Sequence, residues 1–478
     1  MKNNLIKQLS VLFLSVILFT GCENSIEGIN TDPLAAISID PALLFPEILV
    51  AGISAQRTIE ENAINMQAQQ WSSIVGFGVF VNPERYTISS NTTNNIWVGH
   101  YTTGLRNLQQ MRALVERDNP DASNIIGQVK ITEAFVYFNL TQIFGDIPFS
   151  EALQVAEFPN PNFDTQEQVL RGIVTRIDEG LTALATSTDI VTGGDLIYGG
   201  DRDKWIRFGN SLKLRVLMLI ANVDPGSVSA DIQATANQPL IITNDAVAKL
   251  DFLNVSGNEN PIWITIRNFN GSVNGFWGGG AALLDMMNTN NDPRRATYFD
   301  DVAGAYVPQV QGVFSSAGFS AVSLNIIRPD MPDIYATAAE TNFYLAEAVL
   351  QGWATGDANA LYRAGIQASL DFYDGIPGEI AQADKDAYMA SARASITADD
   401  NVTALRKIHE ELYTSNFTRG IAAWTNWRRN KIPNFELPVG AVLNTTIRRY
   451  NIPLSEQTSN PNAPTTLPGL DVPMWFEN

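Results

Sequence analysis

The chain has 478 residues, 45% of them hydrophobic, with 31 basic and 50 acidic residues and a net charge of −19. A surface this acidic repels phosphate backbones, and no basic run interleaved with aromatics interrupts it, which argues against a nucleic-acid partner. One cysteine allows no disulfide framework, and no apolar run reaches the roughly eighteen residues of a membrane-spanning helix.

Read from the start, residues 1–8 (MKNNLIKQ) carry Lys2 and Lys7 and no acid, and an apolar run from Leu9 to Phe19 follows. That run is shorter than the about twenty residues needed to cross a bilayer and fits the core of a secretory signal peptide over residues 1–21. The lone cysteine, Cys22, comes directly after Thr20 and Gly21, an order that resembles the lipobox of bacterial lipoproteins, whose cysteine carries lipid. Phe19 departs from the leucine usual three residues before that cysteine; the competing reading is a plain signal peptide with an incidental thiol. Without residues 1–21 the chain has 29 basic and 50 acidic residues, net −21, so membrane contact is expected through the lipid alone. Residues 22–40 are polar and aperiodic, as a tether would be.

Residues 41–478 read as one domain: a helical framework over about 41–223 and 336–430, with a loop-rich insert at about 225–335. Helical spacing begins near Asp40 and runs to about Gln70. Residues 71–90 mix aromatics, glycines and turn formers and suggest a loop or short strands. Helical spacing returns at 94–116, with Trp97, Tyr101, Leu105 and Leu108 on one side. It is clearest at 123–149, where Ile126, Val129, Val136, Leu140 and Ile143 recur at three- and four-residue steps until Gly145 and Pro148. Further helices are expected at 165–186 and 203–223. The latter has Trp205, Phe208, Leu212, Val216 and Leu219 inward, and Lys204, Arg207, Ser211 and Arg215 as a solvated or ion-paired stripe. Residues 336–373 read as two helices around the turn ATGDAN, with Ala346, Ala348, Ala364, Gly365 and Ala368 where the pair must approach closely. This mix resembles a tetratricopeptide repeat. Two more helices follow at about 400–415 and 417–429, and then proline-punctuated coil.

Motifs for catalysis are missing. His100 and His409 have no partner at metal-ligand spacing, and no HExxH, CxxC, GxSxG or phosphate-cradling loop occurs; GFWGGG (275–280) reads as a loop. No catalytic residue, metal site or cofactor is expected, and a structural calcium is left open.

Several segments, in order, resemble signatures of the SusD-like (SusD/RagB) surface lipoproteins. They are NTDP (30–33), VKITEAFVYFNLTQIFGDIPFSEAL (129–153), KWIRFGNSLKLRVLMLI (204–220), FYLAEAVLQGW (343–353), AWTNWRRNKIP (423–433) and RRYNIPLSEQTSNPNA (448–463). The branch looks like the group described as starch-binding associating with outer membrane. The resemblance implies a mostly α fold of about four tetratricopeptide-like helical hairpins packed against a loop-rich region with short strands. It also implies a lipid anchor at Cys22 on the outer membrane facing the cell exterior, and a SusC-like TonB-dependent transporter as partner. The implied function is capture of oligosaccharides for delivery to that transporter. Two other functions stay in play: a binder of peptides or another nutrient with the same partner, and a glycoside hydrolase, which would need two carboxylates about 5–9.5 Å apart.

Glycan capture needs aromatic faces for pyranose rings and amide, carboxylate or Arg groups for hydroxyls, carried on loops held by a rigid scaffold. Two stretches have that composition. The first, 71–90, offers Trp71, Phe77, Phe80, Asn82, Arg85 and Tyr86. The second, 263–277, offers Trp263, Arg267, Asn270, Asn274, Phe276 and Trp277. Core packing is the competing reading for every aromatic among them.

Overall fold

The computed structural model describes residues 40–477, apart from 77, 186–188, 192, 271–275 and 316. The expected signal peptide, nearly all of the tether and Cys22 lie outside the described residues. From Pro41 onward the chain forms one compact unit.

That unit begins with α1 (Pro41–Glu47), which passes through a π-helical segment, Ile48–Ser54, into α2 (Ala55–Gln67). After β1 (Trp71–Ser73) and α3 (Gly78–Glu84), α4 (Ser90–Val98) passes through a second π-helical segment, Gly99–Leu105, into α5 (Arg106–Asp118). The two π-helical segments pack against each other. Next come α6 (Ser123–Phe144) and α7 (Gln166–Leu184), the latter opened by a capping box in which Thr165 and Gln168 satisfy each other's backbone N–H groups. α8 (Arg202–Ala221) and α9 (Pro225–Ala236) follow.

The region from 237 to 336 contains β2 (Ala248–Leu250), α10 (Pro261–Asn270), β3 (Trp277–Gly279), α11 (Ala281–Thr289), α12 (Arg295–Tyr298) and β4 (Asp333–Ala336). Then come α13 (Ala338–Leu350), α14 (Ala358–Asp371), α15 (Gln382–Ala390), α16 (Asn401–Ser415), α17 (Gly420–Asn430) and α18 (Leu454–Ser459).

Helices pair with their sequence neighbours, α6 with α7, α8 with α9, α13 with α14 and α16 with α17, and α17 returns to pack on α2. The fold is therefore mostly α, helical hairpins of the tetratricopeptide kind against a loop-rich region with short strands. The small residues of the α13–α14 pair do what their spacing implies: a Cβ added to Gly365 would lie 2.6 Å from the Phe343 ring. The core is continuous, with Trp205, Trp424, Phe343 and Ile408 fully buried.

Two local expectations are corrected. The insert is less irregular than its composition suggests, since α9 to α12 all lie within it. Residues 263–270 are helical, with Ile262 and Ile266 buried one turn apart; the Asn- and Gly-rich residues that follow make the stretch read as a loop. The polar stripe of α8 is partly ion-paired, as its composition allows: Arg215 is buried 3.4 Å from Glu340, and the Ser211 hydroxyl accepts from the Ile241 N–H at 2.9 Å.

Buried charges tie this framework together. Arg57 on α2 reaches Asp333 on β4 and Glu61 on its own helix, both at 3.1 Å. Arg419 meets Glu340 at 2.8 Å, and Arg429 grips Glu347 with two bonds of 2.6 Å.

Candidate functional site

Strands β1 and β3 pair antiparallel, Trp71 with Gly279 and Ser73 with Trp277, and the Ile74 N–H donates to the Phe276 carbonyl at 3.0 Å. The start of the first stretch singled out by composition thus pairs with the end of the second, about 200 residues further along the chain.

A third segment, Gln309–Phe314, completes the assembly. Alternation places Gln309 and Gln311 on the same side of the chain. The Gln309 side-chain amide donates to the Ser73 carbonyl and that of Gln311 to the Trp71 carbonyl, each at 2.9 Å. Gln309 also exchanges main-chain bonds with Gly279 and Ala281.

Glu84, at the end of α3, is the central acceptor. Its buried carboxylate takes the Ser72 hydroxyl at 2.7 Å, the Ser73 N–H at 3.1 Å and the Gly312 N–H at 3.0 Å. Burial pushes its pKa up to about 7, against the pull of the Ser72 hydroxyl and the two N–H groups. Gly312 has φ +79°, and a Cβ there would lie 2.3 Å from the Val439 carbonyl oxygen, so only glycine allows the C-terminal strap to close over this segment. The strap is bonded down from Val439 N–H to the Gln311 carbonyl (2.9 Å) and from Val442 N–H to the Arg85 carbonyl (3.0 Å).

Arg85 sits at the junction of all these pieces. It is half-buried, donates to the Gly312 carbonyl at 3.0 Å, and lies with its guanidinium 4.3 Å from the centre of the Phe314 ring. Tyr86 follows it at φ +67°, a conformation costly for a bulky residue and held here by complete packing. Val310, Leu437, Val439 and Val442 are exposed around this junction. The result is a laced platform: a planar cation on an aromatic ring, rimmed by apolar side chains.

The individual candidates divide sharply. Phe77 and Asn274 lie outside the described residues. Phe80 is on α3 and Asn270 ends α10, and the side chains of both lie outside the described positions. Arg85 belongs to the platform. Asn82 is exposed on α3 nearby. Trp263 is half-buried on α10, and its indole N–H has no partner among the described residues. Arg267 on the same helix is paired with Glu259 at 2.7 Å.

Tyr86, Phe276 and Trp277 are corrected: each is at most 2% exposed, so none offers a face to a ligand. Trp277 packs on Trp71 at 5.0 Å between ring centres, and Trp71 meets Phe417 at 6.1 Å. These rings are the hydrophobic base under the platform, because a short strand pair flanked by glycines has no other way to bury a core. Sequence reasoning missed Phe314, Glu84, Gln309 and Gln311. The period-two QVQGVF was the available signal for the two glutamines; nothing local marks Phe314 or Glu84.

Among the described residues no group of three or more His, Cys, Asp or Glu is arranged to hold a metal, and no helix is long and apolar enough to cross a membrane.

A SusD-like family model, described as starch-binding associating with outer membrane, matches residues 33–453. Solved structures share the fold. A chitin-binding protein is 23% identical with a TM-score of 0.78, over 92% of this chain and 100% of that one. A chitin-binding SusD homologue from Flavobacterium johnsoniae is 21% identical with a TM-score of 0.76, over 92% and 98%. A SusD homologue from Bacteroides fragilis is 23% identical with a TM-score of 0.76, over 92% and 99%. No curated protein matches the chain. With a family model spanning nearly the whole domain and the same helical hairpins carrying a loop-rich region, the chain belongs to the SusD-like family, in the branch described as starch-binding associating with outer membrane.

Proposed function

We propose that this chain is a non-enzymatic surface glycan binder. In this reading it takes oligosaccharides on the platform around Arg85 and hands them to a SusC-like TonB-dependent transporter, while lipid on Cys22 holds it to the outer membrane. The observation that supports the reading is the β1–β3 pairing, which sets the start of 71–90 against the end of 263–277 on a scaffold of the SusD-like fold. The branch description and the two chitin-binding structures support a glycan as ligand.

The chemistry fits. The Arg85 guanidinium has a fixed fork of N–H donors suited to vicinal hydroxyls, and the exposed Val310, Val439 and Val442 suit the apolar face of a pyranose ring. Exposed apolar side chains gathered at one place mark binding surfaces rather than folding ones.

Titration calorimetry of residues 23–478 with chitohexaose and maltohexaose tests the reading, with the oligosaccharides analysed afterwards for chain length. Binding of one of them with its length unchanged is expected. Absence of binding to both, or shortening of either, would overturn it. For the anchor, Cys22→Ala in the full chain is expected to move the protein from the membrane fraction to the soluble one; unchanged membrane association would overturn that part.

A further inference from the structure

Between the turn that follows α11, the start of α12 and the α15 region lies an open bowl of about 400 Å³. Its wall is the segment Asn290–Ala296, with Tyr306 on one side and Asp384, Ala387, Tyr388 and Ser391 of the α15 region on the other. Three observations make it more than a surface dip.

Its floor is rigid. Arg294 is completely buried, 2.6 Å from Glu411 and 2.9 Å from the Ser369 hydroxyl, and it also grips Asp292. The Tyr388 hydroxyl donates to Glu411 at 2.7 Å, and Arg393 reaches the same carboxylate at 2.8 Å. This network fixes the turn that presents Asn290 and Asn291, the latter at φ +48°, a conformation that asparagine tolerates.

Its aromatic is available. Tyr306 is only half-buried, and Arg295 holds the ring with its guanidinium 5.3 Å from the ring centre, itself anchored to the Asn288 amide oxygen at 3.2 Å. Its polar groups are uncommitted. The side chains of Asn290, Asn291 and Asp384 make no hydrogen bond or ion pair among the described residues, although they line the same concavity.

An accessible ring with amide and carboxylate groups around it, in a shallow preformed hollow, is the composition that recognises a sugar: the ring takes the apolar face, the amides and carboxylate take hydroxyls. We propose that this bowl is a second carbohydrate site, separate from the Arg85 platform, taking a sugar ring of a glycan that is long enough to touch both or a second chain of it. The proposal rests on the glycan-binding reading. Two sites on one protein raise the avidity for a polymer without new contacts at either.

The experiment compares wild type, Tyr306→Ala, Tyr306→Phe, Asn290→Ala and Arg85→Ala by calorimetry against chitohexaose and maltohexaose, with thermal unfolding of each to confirm folding. The expected result is two sites in wild type and one in Tyr306→Ala. Asn290→Ala should weaken the second site about tenfold, and Tyr306→Phe, which keeps the ring, should retain both. Arg85→Ala should retain the Tyr306-dependent site. A single site in wild type that Arg85→Ala removes and Tyr306→Ala leaves intact would overturn the second site while leaving the glycan reading standing. No binding by wild type would overturn both.

Discussion

The helical framework and the loop platform bury polar groups in opposite ways. In the framework the buried partners are charges on different elements: Arg57 with Asp333, Arg419 with Glu340, Arg429 with Glu347. Around β1 and β3 they are Gln309, Gln311 and Glu84, and each of these bonds backbone. The reason is elementary. A helix satisfies its own N–H and carbonyl groups, so its side chains are free to tie helix to helix. A loop cannot, so side chains must do it. Changes in the framework should therefore cost folding, whereas changes at the platform rim should cost binding.

The sharpest way to break this contrast is Arg57→Met. It leaves Asp333 and Glu61 buried without their cation, and is expected to lose about 3–5 kcal/mol in chemical denaturation; a loss under about 1 kcal/mol would show that the framework does not depend on its ion pairs. Trp277→Ala should be of similar size, about 3–5 kcal/mol, because the ring is core on Trp71 rather than a sugar contact. A well-folded variant defective only in glycan binding would reverse that assignment.

Glu84 gives an intermediate and pH-dependent effect. Its folded pKa of about 7 lies above the ordinary 4.5, so the folded state holds the proton more tightly. Its contribution is complete at low pH and is lost as pH rises through about 7. Glu84→Gln removes that loss and should gain on wild type by up to about 3 kcal/mol between about pH 5 and about pH 8. A difference that does not change with pH would mean that Glu84 is ionised throughout. The smallest effect on folding is expected for Arg85→Ala: about 1 kcal/mol of stability, the size of the one hydrogen bond to the Gly312 carbonyl that it loses, with glycan affinity about tenfold weaker.

The same contrast sorts what was legible in the sequence. α6, α7, α8, α13, α14, α16 and α17 follow from apolar spacing and caps, since a helix is specified locally; α15, short and without a side-chain cap, does not. The two π-helical segments are invisible, because one extra residue per turn leaves composition unchanged. Arg85 could be named as a candidate from its neighbourhood, but its partner Phe314 lies more than 200 residues away, and nothing in either segment announces the contact. Trp277 and Tyr86 fail for the converse reason. Aromatics between glycines look like a binding loop whether they face water or a neighbouring strand, and only the pairing of β1 with β3 decides.

Ligand is expected to land on the laced platform. Amide hydrogen exchange of residues 23–478, with and without a saturating amount of the oligosaccharide that binds, tests it most directly. Slowed exchange at 74–86, 309–314 and 437–442 is the predicted result. Binding that leaves those three segments unchanged and protects only other parts of the chain would contradict it.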